Sequence, residues 1–505
     1  MKRWPDLAVA LLALAAIVVA LANLRATTRG LRIDRVTLEQ TPVTVYRPAA
    51  GPRAPVILIA HGFAGSQQLM QPFAVTFARN GYTAMTFDFP GHGRNPTPLT
   101  GSIINENGAT RVLVAEMAHV AAFARTLGDG RLAVLGHSMA SDIVVRFARS
   151  QPNVAATIAV SMFSPAVVPS GPRDLLVIVG DWEGALKREA LRAVGQISPG
   201  PPRELVTYGD IAAGTARRAA FSAGVEHIGV LYSPHSMDEA LAWADAVFGH
   251  PPRAVRYLDE RGPWILLLLA GLVALGRPLA PLLPVVSRVP TGAGLGWRSI
   301  WPSMIIPMIA TPLLLRVLPT HFLPVLVGDY LAAHFLAYGL ITAACLRWLA
   351  PRHARGHLPR LPALAFAALA VIAYGAIGLG WAIDTHITSF VATPSRLPLI
   401  AAMLAGTLAY FLADEWLTRG PGAARGAYFV SKLAFLVSLG IAVGLDFERL
   451  FFLLIIVPVI VFVLLIYGLF STWSYRRTGS PLVAGTGSAV AFAWAIGVTF
   501  PLLAA

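Results

Sequence analysis

Cysteine is almost missing from this chain. Cys345 is the one example, and it lies inside an apolar run. A disulfide within the chain is excluded, and so is a cysteine-built metal site. The N-terminal segment has no cysteine to acylate, which excludes a lipoprotein-type anchor. Residues 25–261 have none either, which suits an oxidising compartment. Charge is also scarce. Asp, Glu, Lys and Arg make up 13% of the chain, against roughly 25% in an ordinary globular protein. Acidic residues are the scarcer sign, 26 against 40 Lys and Arg, and the net charge is +14. A basic surplus suits nucleic acid, but much of the Arg sits in short loops between apolar runs, where it acts as a topology signal. Nucleic acid is therefore not an expected partner. No glycine-rich turn matches a phosphate loop or a dinucleotide fingerprint, so no cofactor and no metal is required.

What is present divides in two. Residues 25–261 have the composition of one soluble α/β domain. Beyond them, apolar runs long enough to span a bilayer fall at 264–286, 299–318, 325–346, 362–383, 397–416, 428–445, 450–470 and 482–503. Residues 262–505 are thus expected to be an all-α, multi-span membrane domain. At the N-terminus, Lys2 and Arg3 precede an apolar run from Leu7 to Leu21, the pattern of a signal sequence or signal anchor. Ala20-Leu21-Ala22 offers a cleavage site. The length of the run and the Arg-rich text after it (Arg25, Arg29, Arg32, Arg35) favour an uncleaved anchor over residues 1–24.

Loop charge sets the orientation. With Lys2 and Arg3 in the cytoplasm, the returning loops hold Arg288, Arg298, Arg347, Arg352, Arg355, Arg360, Arg419, Arg425, Arg476 and Arg477. The opposite loops hold only Arg396 and Arg449. The asymmetry predicts a multi-pass protein of the cell (inner) membrane with residues 25–261 outside, on the periplasmic side. Asp384, His386, Asp446 and Glu448 read as solvated helix ends on the side of residues 25–261, with a cavity shared between the two halves as the alternative. His334 lies deep in its run and is a functional candidate by default. A hydrogen bond to a neighbouring helix is its plainer account.

Within the soluble half, Leu31–Glu39 and Val43–Arg47 alternate as an antiparallel hairpin does. The continuous apolar run at 55–60 reads as a strand buried on both faces, 83–87 as the next strand, and 132–135, 156–160 and 175–179 as further buried strands. Residues 216–222 read as the last strand. Helices alternate with them at 67–79, 110–126, 141–149, 185–194 and 236–247, which argues for a mostly parallel sheet covered on both faces. The strands end in a series of short motifs: His61-Gly62-Phe63-Ala64-Gly65, Asp88-Phe89-Pro90-Gly91-His92-Gly93, Gly136-His137-Ser138-Met139-Ala140, Gly180-Asp181-Trp182-Glu183, and finally His227. In this order they resemble the α/β-hydrolase superfamily over most of residues 40–250. The elbow departs from the usual Gly-x-Ser-x-Gly at Ala140, which is still small. Only residues 163–174 separate the strand ending near Met162 from the one starting near Leu175, too few for an inserted lid domain.

A serine at a sharp strand-to-helix turn has its hydroxyl above the sheet edge, beside the first amides of the helix. Ser138 is therefore the candidate nucleophile, and a plain N-cap serine is the alternative. The base is His227, just past the last strand, or His235, which follows Ser233-Pro234 and opens a helix. The acid is Glu183, counting Gly-x-x-acid from Gly180, or Asp181, the first residue after the strand. The resemblance implies that the oxyanion donors are the amides of Phe63 and Met139, with Gly62 permitting the chain path. His61, His92, His137 and Asp88 read as structural. The expected activity is that of a membrane-integral serine hydrolase, esterase- or lipase-like, acting on a carboxylic ester or related acyl bond. The missing lid and the large membrane half point to a lipid-like substrate as well as to small molecules. A transporter or scaffold with a binding-only hydrolase-like domain is the alternative from another class. Acyl transfer or peptide cleavage is the alternative on the same triad.

Overall fold

The apolar runs of the first half become strands of one sheet. In a computed structural model, which describes residues 4–101, 106–251, 255–349 and 360–504, helix α1 (Trp4–Thr27) comes first. The hairpin β1 (Leu31–Leu38) and β2 (Thr41–Pro48) follows. Then come β3 (Val56–Ala60), β4 (Thr83–Phe87), β5 (Leu132–His137), β6 (Val154–Val160), β7 (Leu175–Gly180) and β8 (Arg217–Ser222). The order across the sheet is β1-β2-β4-β3-β5-β6-β7-β8. The pairs β1–β2 and β2–β4 are antiparallel, and the rest are parallel. The connections carry α2 (Gln71–Arg79), α3 (Arg111–Leu127), α4 (Met139–Ser150) and α5 (Gly184–Gly195), and α6 (Pro234–Phe248) closes the unit.

Alternation along each strand divides the core into two layers. Ile57, Ile59 and Leu135 pack with Phe73 and Phe77 of α2 and Leu241 of α6. Val56, Leu58 and Val134 point the other way, onto Met117 of α3 and Val144 and Phe147 of α4. Val177 and Val179 meet Ala190 and Val194 of α5. Because every functional motif follows a strand of the parallel set, all of them gather at one edge of the sheet. The β6–β7 connection, 161–174, contains no helix, so no lid is inserted there.

Among the described residues nine helices are long and apolar enough to cross a membrane: α1, and the series that begins with α7 (Arg261–Leu279) and ends with Pro481–Thr499. Lys2, Arg3, Arg352 and Arg355 of the charge count lie outside the described residues. Three differences from the sequence reading have physical causes. The last apolar run ends its helix at Thr499, and residues 500–504 leave it to hydrogen-bond with loops. Asp384 is not left to solvent. It pairs with Arg94 at 2.5 Å and accepts from the Phe390 amide at 2.9 Å. Charges are also buried within the runs. Lys432 pairs with Asp414, which accepts from Ser431 at 2.6 Å, and Arg419 lies 3.2 Å from Glu415, which accepts from Ser471 at 2.6 Å. His334 Nε2 lies 3.1 Å from Ser438 Oγ on the neighbouring helix Ala427–Leu445.

Candidate active site

The turn between β5 and α4 is tight enough to dictate its own residues. A Cβ on Gly136 would lie 2.3 Å from the Ala140 carbonyl oxygen, so glycine is required there. Ala140, the second residue of α4, is fully buried in the core. Ser138 takes φ 54° and ψ −119°, outside the ordinary regions for a residue with a side chain. Its carbonyl accepts from Ser141 N at 2.8 Å and Ser141 Oγ at 2.6 Å, and its amide donates to Val160 O at 2.9 Å. These bonds fix the strained turn and hold the serine hydroxyl above the sheet edge.

His227 lies on the loop after β8. Its Nε2 is 2.8 Å from Ser138 Oγ, and its Nδ1 is 2.5 Å from Glu183 Oε1. With a proton on Nδ1, the imidazole donates to the carboxylate and leaves Nε2 free to accept from the serine hydroxyl. Glu183 Oε2 also accepts from Ser161 Oγ at 2.7 Å and from the Gly180 amide at 2.8 Å. Burial pushes the Glu183 pKa up. The bonds from His227 and Ser161, the nearby His227 charge and the Gly180 amide outweigh burial and hold it below the ordinary glutamate value. The loop carrying His227 is fixed twice over. Glu226 accepts from the Ile228 and Gly229 amides at 2.6 and 2.8 Å, and His137 Nε2 lies 2.9 Å from the His227 carbonyl oxygen.

The other candidates fall elsewhere. Asp181 accepts from Lys187 at 2.5 Å and has 45% of its side chain exposed. His235 sits in the first turn of α6 and makes no hydrogen bond to Ser138 or Glu183. Gly62 lies against the nucleophile turn: a Cβ built there would be 3.0 Å from Ser138 Cβ. The loop that carries the Phe63 amide therefore runs beside the serine. His61 is fully buried. Its Nε2 accepts from the Phe89 amide at 3.1 Å and its Nδ1 lies 2.8 Å from Gly62 O, so it ties the β3 and β4 loops together. Asp88 accepts from the amides of Gln67 and Arg94 at 2.8 and 3.0 Å. Burial lowers the pKa of His61, and it lowers those of His92 and His137 to about 3. All three stay neutral and serve as braces. Among the described residues no group of three or more His, Cys, Asp or Glu is placed to hold a metal ion.

Several contributors were not visible as motifs. Ser161 holds Glu183 from the end of β6, and its position at a strand terminus was the only local sign. The helical half also reaches the site. The Phe63 ring lies 5.0 Å from that of Phe452, at the start of the helix Phe452–Thr478. Ser66 Oγ lies 3.0 Å from Thr388 Oγ1 and accepts from the Ser389 amide at 2.8 Å. Arg396, noted in the sequence only as loop charge, is 1% exposed and donates to Gly91 O at 2.8 Å and to Phe500 O at 2.6 Å.

Residues 55–194 match a family model described as the alpha/beta hydrolase fold. No curated protein matches the chain. Similar solved structures include a dienelactone hydrolase from Anabaena variabilis, at 15% identity and a TM-score of 0.33, covering 45% of this chain and 100% of that one. A membrane phospholipase A described as a bacterial virulence factor is 18% identical with a TM-score of 0.30, over 49% of this chain and 99% of that one. A soluble variant of the monoglyceride lipase of Saccharomyces cerevisiae is 10% identical with a TM-score of 0.31, over 44% and 97%. The chain carries an α/β-hydrolase-fold domain, with the helices long and apolar enough to cross a membrane lying mostly C-terminal to it.

Proposed function

We propose that this protein is a membrane-integral serine hydrolase that cleaves a carboxylic ester or a related acyl bond. The observation that carries the reading is the continuous relay from Ser138 Oγ through His227 to Glu183, at 2.8 and 2.5 Å. In this mechanism Ser138 Oγ attacks the acyl carbonyl carbon while His227 Nε2 takes its proton. Glu183 holds the imidazole in the required tautomer and stabilises the imidazolium. The negative oxygen of the tetrahedral adduct is received by the amides of Phe63 and Met139. The bond to the alcohol then breaks, and His227 returns the proton to the leaving oxygen. Water, deprotonated by His227, attacks the acyl-serine and releases the acid. No cofactor enters the sequence.

Residues 25–261 form the catalytic unit in this reading, 262–505 the membrane unit, and 1–24 an uncleaved anchor. Packing supports the anchor. Ala13 and Ala20 of α1 are buried, and Gly271 of α7 approaches so closely that a Cβ there would lie 2.8 Å from Ile17. Small residues at such a seam are how membrane helices associate. The loop charges support placing the catalytic unit outside the cytoplasm. A fluorophosphonate probe applied to the full-length protein in detergent tests the activity. The probe should label wild type and leave Ser138→Ala unlabelled, with esterase turnover falling by about 10⁴-fold or more. Absence of labelling in folded wild type would overturn the reading and favour a binding-only domain.

A further inference from the structure

The strand ends that carry Ser138 and His227 face the ends of the membrane-spanning helices. Phe63, beside the nucleophile, packs against Phe452, the first residue of an apolar helix of 27 residues. That contact lies at one end of a helix long and apolar enough to cross a membrane. The same edge of the sheet carries an unusual set of side chains. Phe163 after β6, Trp182 after β7 and Ile228 beside His227 are 67%, 70% and 44% exposed. Phe451, next to Phe452, is 42% exposed. A soluble surface scatters single apolar residues without consequence. Here they stand on the ends of three consecutive strands on one side of Ser138, and the Phe63–Phe452 contact lies on the other side, at the end of β3. Aromatic side chains with one wet and one apolar side settle at the membrane–water boundary. No lid is inserted between β6 and β7 at this edge.

We propose that the substrate is a long-chain acyl ester resident in the bilayer, which enters along the Phe63–Phe452 contact with Phe163, Trp182 and Ile228 as the apolar rim. An acyl lipid carries its ester carbonyls at the boundary between headgroups and hydrocarbon, the depth at which Phe452 starts its helix. A small water-soluble ester has no use for such a rim. The inference rests on Ser138 being the nucleophile.

The test uses full-length protein in vesicles of dialkyl-ether phosphatidylcholine, a lipid without acyl esters. Two substrates share one leaving group: 4-methylumbelliferyl acetate in the buffer and 4-methylumbelliferyl oleate in the bilayer. Rates are normalised to sites labelled by a fluorophosphonate. The oleate ester should be cleaved with about tenfold or greater preference in kcat/KM, since each buried methylene adds binding. Adding ether lipid at constant total oleate ester should slow its cleavage in proportion to its dilution in the membrane. The double variant Phe163→Ser with Trp182→Ser should reduce the oleate-to-acetate ratio by about tenfold, because two large apolar surfaces are lost. Equal or better cleavage of the acetate ester, or an oleate rate insensitive to surface dilution, would overturn the proposal while leaving the serine hydrolase reading intact. Failure of both substrates together with absence of labelling removes the hydrolase reading and this inference with it.

Discussion

Glu183 receives three hydrogen bonds in a position with 7% of its side chain exposed. Hydrogen bonds to a charged group contribute about 1.5–3 kcal/mol each, enough together to overcome the burial that would otherwise neutralise the carboxyl. The sign of the acid response follows. A carboxyl held below its ordinary pKa gives stability that is complete above the unfolded value near 4.5 and is lost as pH falls through its own lower value. Glu183→Gln should therefore lessen the drop in melting temperature between neutral pH and acid below 4.5, measured by thermal unfolding in detergent. At neutral pH the same variant should lower esterase kcat by about 10³-fold or more, because the amide supports the wrong imidazole tautomer. At this scale the sequence was informative where function is local. Gly136-His137-Ser138, Gly180-x-x-Glu183 and His227 are short spacings set by strand ends. Ser161 was not legible, because its role is defined by a carboxylate 22 residues away in the chain.

The strands and helices of the first half were legible because buried parallel strands leave continuous apolar runs and the helices between them do not. The long apolar helices were legible as lengths, but their interiors were not. Lys432, Asp414, Glu415 and Arg419 stand near helix ends, where a hydropathy window tolerates them. The Lys432–Asp414 pair and the Ser471–Glu415 bond are made across helices, by packing that no single run encodes. Lys432 also lies over the Tyr428 ring, 4.5 Å from its centroid. Removing one member of such a pair leaves a charge without compensation in a low-dielectric interior. Lys432→Met should destabilise the bundle by about 3–5 kcal/mol, whereas Lys432→Met combined with Asp414→Leu should recover most of the loss. Thermal unfolding of the two variants beside wild type checks this, with the double variant expected to melt well above the single one.

Across the whole molecule the two halves are joined at the site itself. Arg396 donates to Gly91, 305 residues away. The β4 loop that contains Gly91 holds His61 through the Phe89 amide, and His61 sits against Gly62. Arg396 is thus a positioning residue for the loop that carries the Phe63 amide. Arg396→Met should reduce kcat by about tenfold with little change in KM, as expected when oxyanion donors are displaced but the substrate seat is kept. Arg396→Lys should fall between the two, and steady-state kinetics together with the rate of fluorophosphonate labelling distinguish this from general unfolding. Nothing in the sequence joins position 396 to position 91, since the link is made by tertiary structure alone.

The tail after the last helix carries the same connection into the order of synthesis. Leu502 N donates to Gly91 O at 2.9 Å, and Leu99 N donates to Leu502 O at 2.8 Å. Residues 91 and 99 leave the ribosome long before residue 502 is made, so this seam closes only after the helices between them have been translated. The nascent hydrolase fold has its sheet and its serine early, yet the Gly91 loop beside them gains these bonds only when the helical half has packed against it. If Ser138 is the nucleophile, assembly of the helical half is in this sense the step that completes the site.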